Sequence, residues 1–427
     1  MKLMEIVEYK KEEVKNLTQW SQTDVNQVIG TVTEIIENIK ENKDLAVKNY
    51  TEKFDKAKIE NLQVTKDEIN EAYNTLDDEI IESLKAAAKN IEKFHKEEIP
   101  EEWSITVQDG INAGQIIRPL NSVGCYIPGG RAVYPSSILM TVIPAKIAGV
   151  KRIICCTPPN PEGKIQEAIL VAADIAGADE IYKVGGAQAI AAMAYGTETI
   201  KPIEKIVGPG NIFVTAAKKL VYGDVDIEFP AGPSELLIIA EENAKPEYLA
   251  YDILSQAEHD PNASCFLVTN NKNLAEETDK LIVEYTNKAK RQEIIEESLN
   301  KYGKIVITKT LKEAIDFSNE YAPEHLIINI KNNTKTLEQI KNAGSIFIGQ
   351  YSPVAAGDYG SGTNHVLPTG RGARMYSGLS TEDFLKKPTV QELSQEGLEK
   401  LSKTIIPIAE YEGFEAHANS VKIRIKK

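Results

Sequence analysis

The sequence predicts an α/β protein with more than one parallel sheet, and three observations carry that prediction. Short apolar runs alternate with helical ones from about residue 150 onward. The alternation is broken once, at Pro230-Ala-Gly-Pro-Ser-Glu, a segment suited to crossing between domains. The chain also has 427 residues, more than the roughly 250–300 at which a single hydrophobic core stops growing.

Residues 23 to 97 read as helical, with apolar residues at three- and four-residue steps, as in Val-Ile-Gly-Thr-Val-Thr-Glu-Ile-Ile-Glu-Asn-Ile. His95, between Phe94 and Lys96, is expected to be a solvated or half-buried helix histidine. Next come Arg-Ile-Ile-Cys-Cys and a helix from Ile165 to Ala176, Ile-Tyr-Lys-Val and a helix from Gln188 to Tyr195, then Lys-Ile-Val and a helix from Asn211 to Leu220. Beyond the break the alternation resumes with 236 to 240, a helix to about Gln256, 265 to 268, a long helix, Lys-Ile-Val-Ile-Thr, another helix, Leu-Ile-Ile-Asn-Ile and Ser-Ile-Phe-Ile. Repeated β-α-β-α is the signature of parallel sheets covered by helices. After about 350, Gly357, Gly360, Gly362, Gly370 and Gly372 crowd one run, which predicts loop. Ser380-Thr-Glu-Asp383 reads as a capped helix start. Residues 404 to 427 carry too little apolar material for a core and need another surface, a partner subunit being a natural one.

Composition narrows the function. With 49 Lys+Arg against 63 Asp+Glu the formal charge is -14, which opposes a nucleic-acid partner, because phosphate binding is driven by clustered positive charge. The N-terminus lacks an apolar core of signal-peptide length, and no stretch reaches the ~18 apolar residues of a membrane helix, so a soluble, cytoplasmic protein without membrane contact is expected. Cys125, Cys155, Cys156 and Cys265 form no Cys-x-x-Cys pair and read as buried reduced thiols.

The chemistry lies in the histidines. Four of the five, His259, His325, His365 and His417, sit among Gln, Glu, Asp and Gly, the setting of a metal or proton-transfer site, since imidazole is both a common ligand and a base near neutral pH. Gln256 and His259 are three apart at a helix end and project to about one face, with Glu258 and Asp260 available to orient an imidazole. Surface helices carry such pairs constantly. Glu324-His325 follows Pro323 and precedes an apolar strand. Two proton acceptors at one site are useful, yet strand neighbours point to opposite faces, so one buried and one solvated residue is the expectation from pattern alone. Asp358 and His365 fall in the glycine-rich loop, Glu412 and His417 in the tail. Gly185-Gly-Ala-Gln188 and Gly208-Pro-Gly-Asn211 each follow a strand and open a helix, where backbone amides can meet phosphate oxygens. Neither is Gly-x-Gly-x-x-Gly, so the usual dinucleotide fingerprint is missing.

Taken in order and spacing, Gly-Cys-Tyr126-Ile-Pro-Gly-Gly, Val-Gly-Gly-Ala-Gln188-Ala-Ile-Ala-Ala, Ile-Val-Gly-Pro-Gly-Asn211, Pro-Ala-Gly-Pro-Ser234-Glu, Gln256-Ala-Glu-His259-Asp, Ala-Pro-Glu324-His325-Leu, Ala-Gly-Asp358-Tyr and the terminal Glu412 and His417 resemble the histidinol dehydrogenase family. The likeness covers essentially the whole chain. It implies four-electron oxidation of L-histidinol to L-histidine by way of the aldehyde, with two NAD reduced in turn. It implies zinc on Gln256, His259, Asp358 and His417, His325 as general base and Glu324 as activator of water. Ser234 and Glu412 would contact substrate together with His325 and the zinc ligands; Tyr126, Gln188 and Asn211 would hold NAD, and His365 would lie near the substrate. The implied fold is two incomplete Rossmann-like parallel-sheet domains, one from 23–125 and 235–378, the other, on the NAD side, from 126–234. A small helical segment from 1–22 and 379–403 and a tail, 404–427, complete it. The implied assembly is a homodimer in which the tail completes the partner's site. Competing readings are a metal-assisted hydrolase, a silent ligand sensor on the same fold, and a cysteine-dependent aldehyde dehydrogenase, the last opposed by the lack of a base beside any thiol.

Overall fold

The computed structural model describes residues 3–11, 14, 25–129, 132–229 and 232–426. Two all-parallel sheets organise it. The five-stranded sheet runs Glu180–Lys183, Arg152–Thr157, Ser122–Tyr126, Lys205–Val207, Asp226–Ile227. The six-stranded sheet runs Glu5–Glu8, Gly303–Ile307, Ser264–Thr269, Glu235–Ala240, His325–Asn329, Ser345–Ile348. Setting aside the added edge strand Glu5–Glu8, the central strand of each sheet comes first in sequence. The next two strands lie to one side of it and the last two to the other. This is the Rossmann order 3-2-1-4-5 without its sixth strand, with a switch point beside the central strand where the connections change direction. The expected pair of incomplete Rossmann-like sheets is what the chain forms.

Both faces of each sheet are covered, so the strands are continuous apolar runs. Ile153 and Cys155 face one core of the five-stranded sheet, Ile154 and Cys156 the other, as strand alternation requires. Neighbouring Cys155 and Cys156 therefore point apart, and all four thiols are buried and free. Local chemistry sets the helix ends. Reciprocal capping boxes start Lys66–Thr75 at Thr65/Glu68 and Leu311–Tyr321 at Thr310/Glu313, and Gly149 and Gly177 close Pro135–Ala148 and Glu167–Ala176 in the left-handed region.

The expected domain grouping needs correction. Val32, Ile35, Ile36, Ile39 and Val47 of helix Ile29–Asp55 pack with Ile154, Cys156 and Ile190, and Ile81, Leu84, Ala88 and Ile91 of helix Asp78–Lys96 pack with Val123, Ile153 and Val171. Helices Ile29–Asp55 and Asp78–Lys96 thus pack on the five-stranded sheet and not with 235–378, Trp103–Gln108 and Ile111–Gln115 pair in a separate antiparallel sheet with Thr389–Leu393, and a boundary at 125/126 would cut strand Ser122–Tyr126. Helical periodicity shows that a face is buried but not against what. The proposed helical segment of 1–22 and 379–403 is also largely something else. Glu5–Glu8 is an edge strand of the six-stranded sheet, while Leu385–Lys386 and Thr389–Leu393 pair antiparallel with Arg118–Pro119 and Ile111–Gln115. Residues 12–13 and 15–24 lie outside the described residues, as do Pro230 and Ala231 of the expected crossing.

Ser380 and Asp383 do form a capping box, but the helix they start is the single turn Thr381–Phe384. The tail is a helical hairpin, Gln395–Tyr411 and Glu415–Ile425, whose helices pack on each other. It leaves Ile408 54%, Tyr411 95%, Phe414 53% and Ile423 72% exposed, the uncovered surface expected of a segment without its own core.

Candidate active site

At the amino ends of the six-stranded sheet's central strands, Glu235, Glu324 and His325 are all buried. Pairing of Glu235–Ala240 with His325–Asn329 starts at Leu236 opposite His325, so Glu235 and Glu324 stand just ahead of it, side by side. Their contacts are reciprocal. The Glu235 N–H donates to Glu324 Oε2 at 2.7 Å, and the Glu324 N–H donates to Glu235 Oε2 at 3.3 Å. Glu235 Oε1 accepts the Gly370 N–H at 3.0 Å, which ties the glycine-rich segment to the sheet.

The pattern-based expectation that one of Glu324 and His325 faces solvent is overturned. Helix Leu311–Tyr321 ends at Ala322 with φ of 54°, so the backbone turns through Pro323 before the strand begins. Glu324 Oε2 consequently lies 3.4 Å from His325 Nδ1. Nδ1 also sits 3.2 Å from the Glu235 carbonyl oxygen, an acceptor that fixes the proton on Nδ1. Nε2, the lone-pair nitrogen in that tautomer, is buried without a hydrogen-bond partner and stands 3.7 Å from Asp358 Oδ1. Burial by itself lowers the pKa of this imidazole, but Glu324, Asp358 and the Glu235 carbonyl outweigh it and raise the pKa to about 9.

Asp358 lies on the short helix Val354–Tyr359 rather than in loop. Val354 shares a core with Leu249, Ile253, Leu254 and Ala257, so this helix rests on helix Pro246–Ala257. Gln256 is buried in the last turn of that helix, and half-buried His259 follows with its N–H on the Gln256 carbonyl at 3.2 Å. The two helices meet at this end: burial, then Asp358 and Glu258, push the Tyr359 phenol up. Half-buried Ser234 precedes Glu235 and accepts the Ser264 N–H on its carbonyl oxygen at 2.9 Å. Glu412 and His417 are exposed on the tail hairpin, the His417 ring 5.3 Å from Phe414. Among the described residues no three His, Cys, Asp or Glu side chains come together as a metal site. The fold of one chain therefore does not join His417 to His259 and Asp358.

The second region is the carboxyl edge of the five-stranded sheet. Tyr126 ends the central strand, is buried, and accepts the Gly186 N–H on its hydroxyl oxygen at 3.0 Å. Gln188 is 1% exposed and its Oε1 has no partner. Gly208 has φ of 118°, and a Cβ there would lie 2.0 Å from the Tyr126 carbonyl oxygen, so only glycine fits. Asn211 caps helix Ile212–Val221, Oδ1 accepting from Phe213 N–H at 3.0 Å and Val214 N–H at 3.2 Å. Beneath the loop, Lys218 Nζ donates to the Gly208 carbonyl at 3.1 Å and to Glu228 Oε1 at 2.6 Å, and Glu228 Oε1 also accepts the Gly208 N–H at 2.8 Å.

His365 joins the regions. Its Nε2 is 3.3 Å from Ser137 Oγ, on the helix that follows the central five-stranded strand, and its Nδ1 is 3.0 Å from the Asp358 carbonyl oxygen. Burial lowers its pKa, which keeps it neutral for both bonds. His95, expected to be solvated, is fully buried behind this link, Nδ1 2.6 Å from Glu98 and Nε2 3.3 Å from Asn364. Glu235, Ser137 and the Lys218–Glu228 pair escaped the sequence reading. Glu235 stood visible beside Ser234, but the others carry no local signal.

The comparisons with known proteins agree along the whole chain. Residues 18–425 match the family model described as Histidinol dehydrogenase. A histidinol dehydrogenase of Methanothermobacter thermautotrophicus is 58% identical over 99% of this chain and 100% of its own. One from Methanocaldococcus jannaschii is 50% identical over 100% and 99%. The crystal structure of histidinol dehydrogenase from Elizabethkingia anophelis superposes with a TM-score of 0.96 at 41% identity, covering 100% of this chain and 98% of that one. Matched by the family model over residues 18–425, by relatives at 50–58% identity and by one fold, this chain belongs to the histidinol dehydrogenase family.

Proposed function

We propose that the protein oxidises L-histidinol to L-histidine through L-histidinaldehyde, with two NAD reduced in turn and zinc holding the substrate. The observation that carries this reading is His325, a buried imidazole whose Nδ1 is committed to a carbonyl and whose Nε2 is unpartnered beside Asp358. In the neutral form Nε2 is ready to take a proton. It would remove the hydroxyl proton of the bound alcohol as hydride leaves the adjacent carbon, and Glu324 and Asp358 would stabilise the imidazolium formed. Glu324, steadied by the Glu235 N–H, would then take a proton from the water that hydrates the aldehyde and so prepare the second oxidation.

The donor chemistry suits both groups. Gln256 and His259 at the end of helix Pro246–Ala257, with Asp358 on the helix packed against it, would offer an amide, an imidazole and a carboxylate, and His417 would be the fourth ligand; such a set would leave zinc net positive and able to take substrate nitrogens. Zinc supplies a centre that orients the imidazole and amine of histidinol, and NAD supplies the hydride acceptor. Exposed His417 on a hairpin with uncovered apolar side chains supports a homodimer in which each tail, with Glu412, completes the other subunit's site. Ser234 would contact substrate from the sheet edge, and His365 would steady the helix carrying Asp358. On the NAD side, the unpartnered Gln188 Oε1 and the close approach allowed by Gly208 fit a ligand held by Tyr126, Gln188 and Asn211. Buried free thiols support a cytoplasmic setting.

The test is purified protein with L-histidinol and NAD, followed by NADH absorbance. We expect about two NADH per histidinol consumed, because the base and the activated water serve successive steps, with activity lost to a chelator and restored by zinc. Free aldehyde accumulating with one NADH overturns the two-step scheme, and no NADH overturns the reading.

A further inference from the structure

We propose that Asp55 selects NAD over NADP, its carboxylate accepting the ribose hydroxyls of the dinucleotide; the inference rests on the NAD reading above. Asp55 is the last residue of helix Ile29–Asp55, and Lys56 then turns the chain with φ of 59°. The following segment runs back along the edge strand of the five-stranded sheet, with the Lys183 N–H donating to the Leu62 carbonyl at 2.8 Å and the Val64 N–H donating to the Ile181 carbonyl at 2.9 Å. Antiparallel travel along that strand places the residues before Leu62 beyond its carboxyl end. Asp55 thus joins Tyr126, Gly186 and Gln188 at one edge. Its carboxylate is close enough to Tyr126 to add to the upward push that burial gives the phenol.

Within the protein alone this carboxylate is badly placed. Oδ2 is buried with no hydrogen-bond partner. It stands at a helix C-terminus, where the macrodipole disfavours an anion. Lys56 does not neutralise it, since its Nζ donates to the Lys53 carbonyl oxygen at 2.8 Å. Burial accordingly raises the Asp55 pKa to about 6. A charge kept at such cost needs an outside partner that donates hydrogen bonds.

Strand order indicates which partner. In sheets of this order an acid near the end of the second strand takes the ribose hydroxyl. Here that strand, Arg152–Thr157, runs on into Pro158-Pro159-Asn160 without a carboxylate. Pro158 is packed so tightly that a Cβ at Gly129 or Gly185 would lie 2.6 or 2.5 Å from it. Asp55 offers the missing acid from a helix outside the sheet. A 2′-phosphate in place of the hydroxyl would set two anions together in a desolvated spot and be rejected.

The test is direct binding of NADH and of NADPH to purified full-length protein by calorimetry, with thermal melts alongside. The wild type should prefer NADH, and Asp55→Ala should weaken NADH by about tenfold or more, the worth of a charged hydrogen bond. Asp55→Asn, equal in shape, should narrow the NADH-to-NADPH preference by a similar factor and leave Tm unchanged or raised, because an unpaired buried charge has gone. An unchanged preference in both variants overturns the assignment, as does a lowered Tm in Asp55→Asn without a change in preference. A wild type that binds neither dinucleotide overturns the NAD reading itself, and this inference with it.

Discussion

The two sheets share one strand order yet carry their candidate site residues at opposite edges. The five-stranded sheet gathers Tyr126, Gln188 and Asn211 at its carboxyl edge, where helices begin and their free N–H groups suit phosphate. The six-stranded sheet gathers Glu235, Glu324, His325, Gln256 and His259 at its amino edge, where helices Pro246–Ala257 and Leu311–Tyr321 end. Helix C-termini are the negative ends of the macrodipole and suit cations and protonated imidazole. The carboxyl edge of this second sheet, the usual ligand edge, holds instead a cavity of about 460 Å³ lined by Glu241, Glu242, Asn270, Asn271, Lys272, Asn273 and Lys331. Under the proposed function, one topology would yield an anion site or a cation and proton site according to which edge is used. Ser137, His365 and the Asp358 carbonyl form a chain of polar contacts that links the helix after the central five-stranded strand to the helix carrying Asp358.

The largest expected effect tests the proton edge. His325→Gln should cut alcohol oxidation by roughly 10²–10⁴-fold, the range for loss of a general base, whereas Glu324→Gln should chiefly impair oxidation of supplied aldehyde. Steady-state rates on both substrates decide it, and equal loss of both half-reactions in both variants would remove the division of labour. A comparable loss should come from the tail. His417→Asn and His259→Asn should each be nearly inactive, since losing a ligand weakens zinc capture. Mixed dimers of the two contain one site with both defects and one with neither. Co-refolding should therefore restore activity to a minority of sites. Differentially tagged mixed dimers that stay inactive, while wild-type dimers treated alike recover, would show that the tail does not work in trans.

The smallest effect concerns the phosphate edge. Gly208→Ala forces a φ of 118° on a residue with a Cβ, a strain of roughly 1–3 kcal/mol, and sets that Cβ 2.0 Å from the Tyr126 carbonyl oxygen, so the loop must also shift. It should lower Tm and raise KM for NAD while leaving zinc content and histidinol affinity near wild type. If histidinol affinity falls as far as NAD affinity, the two edges are not separable sites.

Much of this was legible from residue order. Alternating apolar runs gave the parallel sheets because strands buried on both faces must be apolar throughout, and Ser380/Asp383 announced a helix start because capping is local chemistry. The motif set around Gln188, Asn211, Gln256, His259, Glu324, His325 and Asp358 was readable as a list. Its geometry was not. Residues 29–96 packed on the sheet they were not assigned to, because periodicity carries no address. Thr389–Leu393, read as part of a helical segment, became a strand because Ile111–Gln115 offered a free edge, and a pairing partner hundreds of residues away leaves no mark on local sequence. The sequence by itself determined which residues could do chemistry and that the core would be layered. Only the tertiary structure decided that Glu324 and His325 face the same way, that the backbone carbonyl of Glu235 fixes the tautomer, and which edge of each sheet meets the other. Those depend on turns, burial and contacts between distant segments, whose energies are set by the whole fold and not by neighbours in the chain.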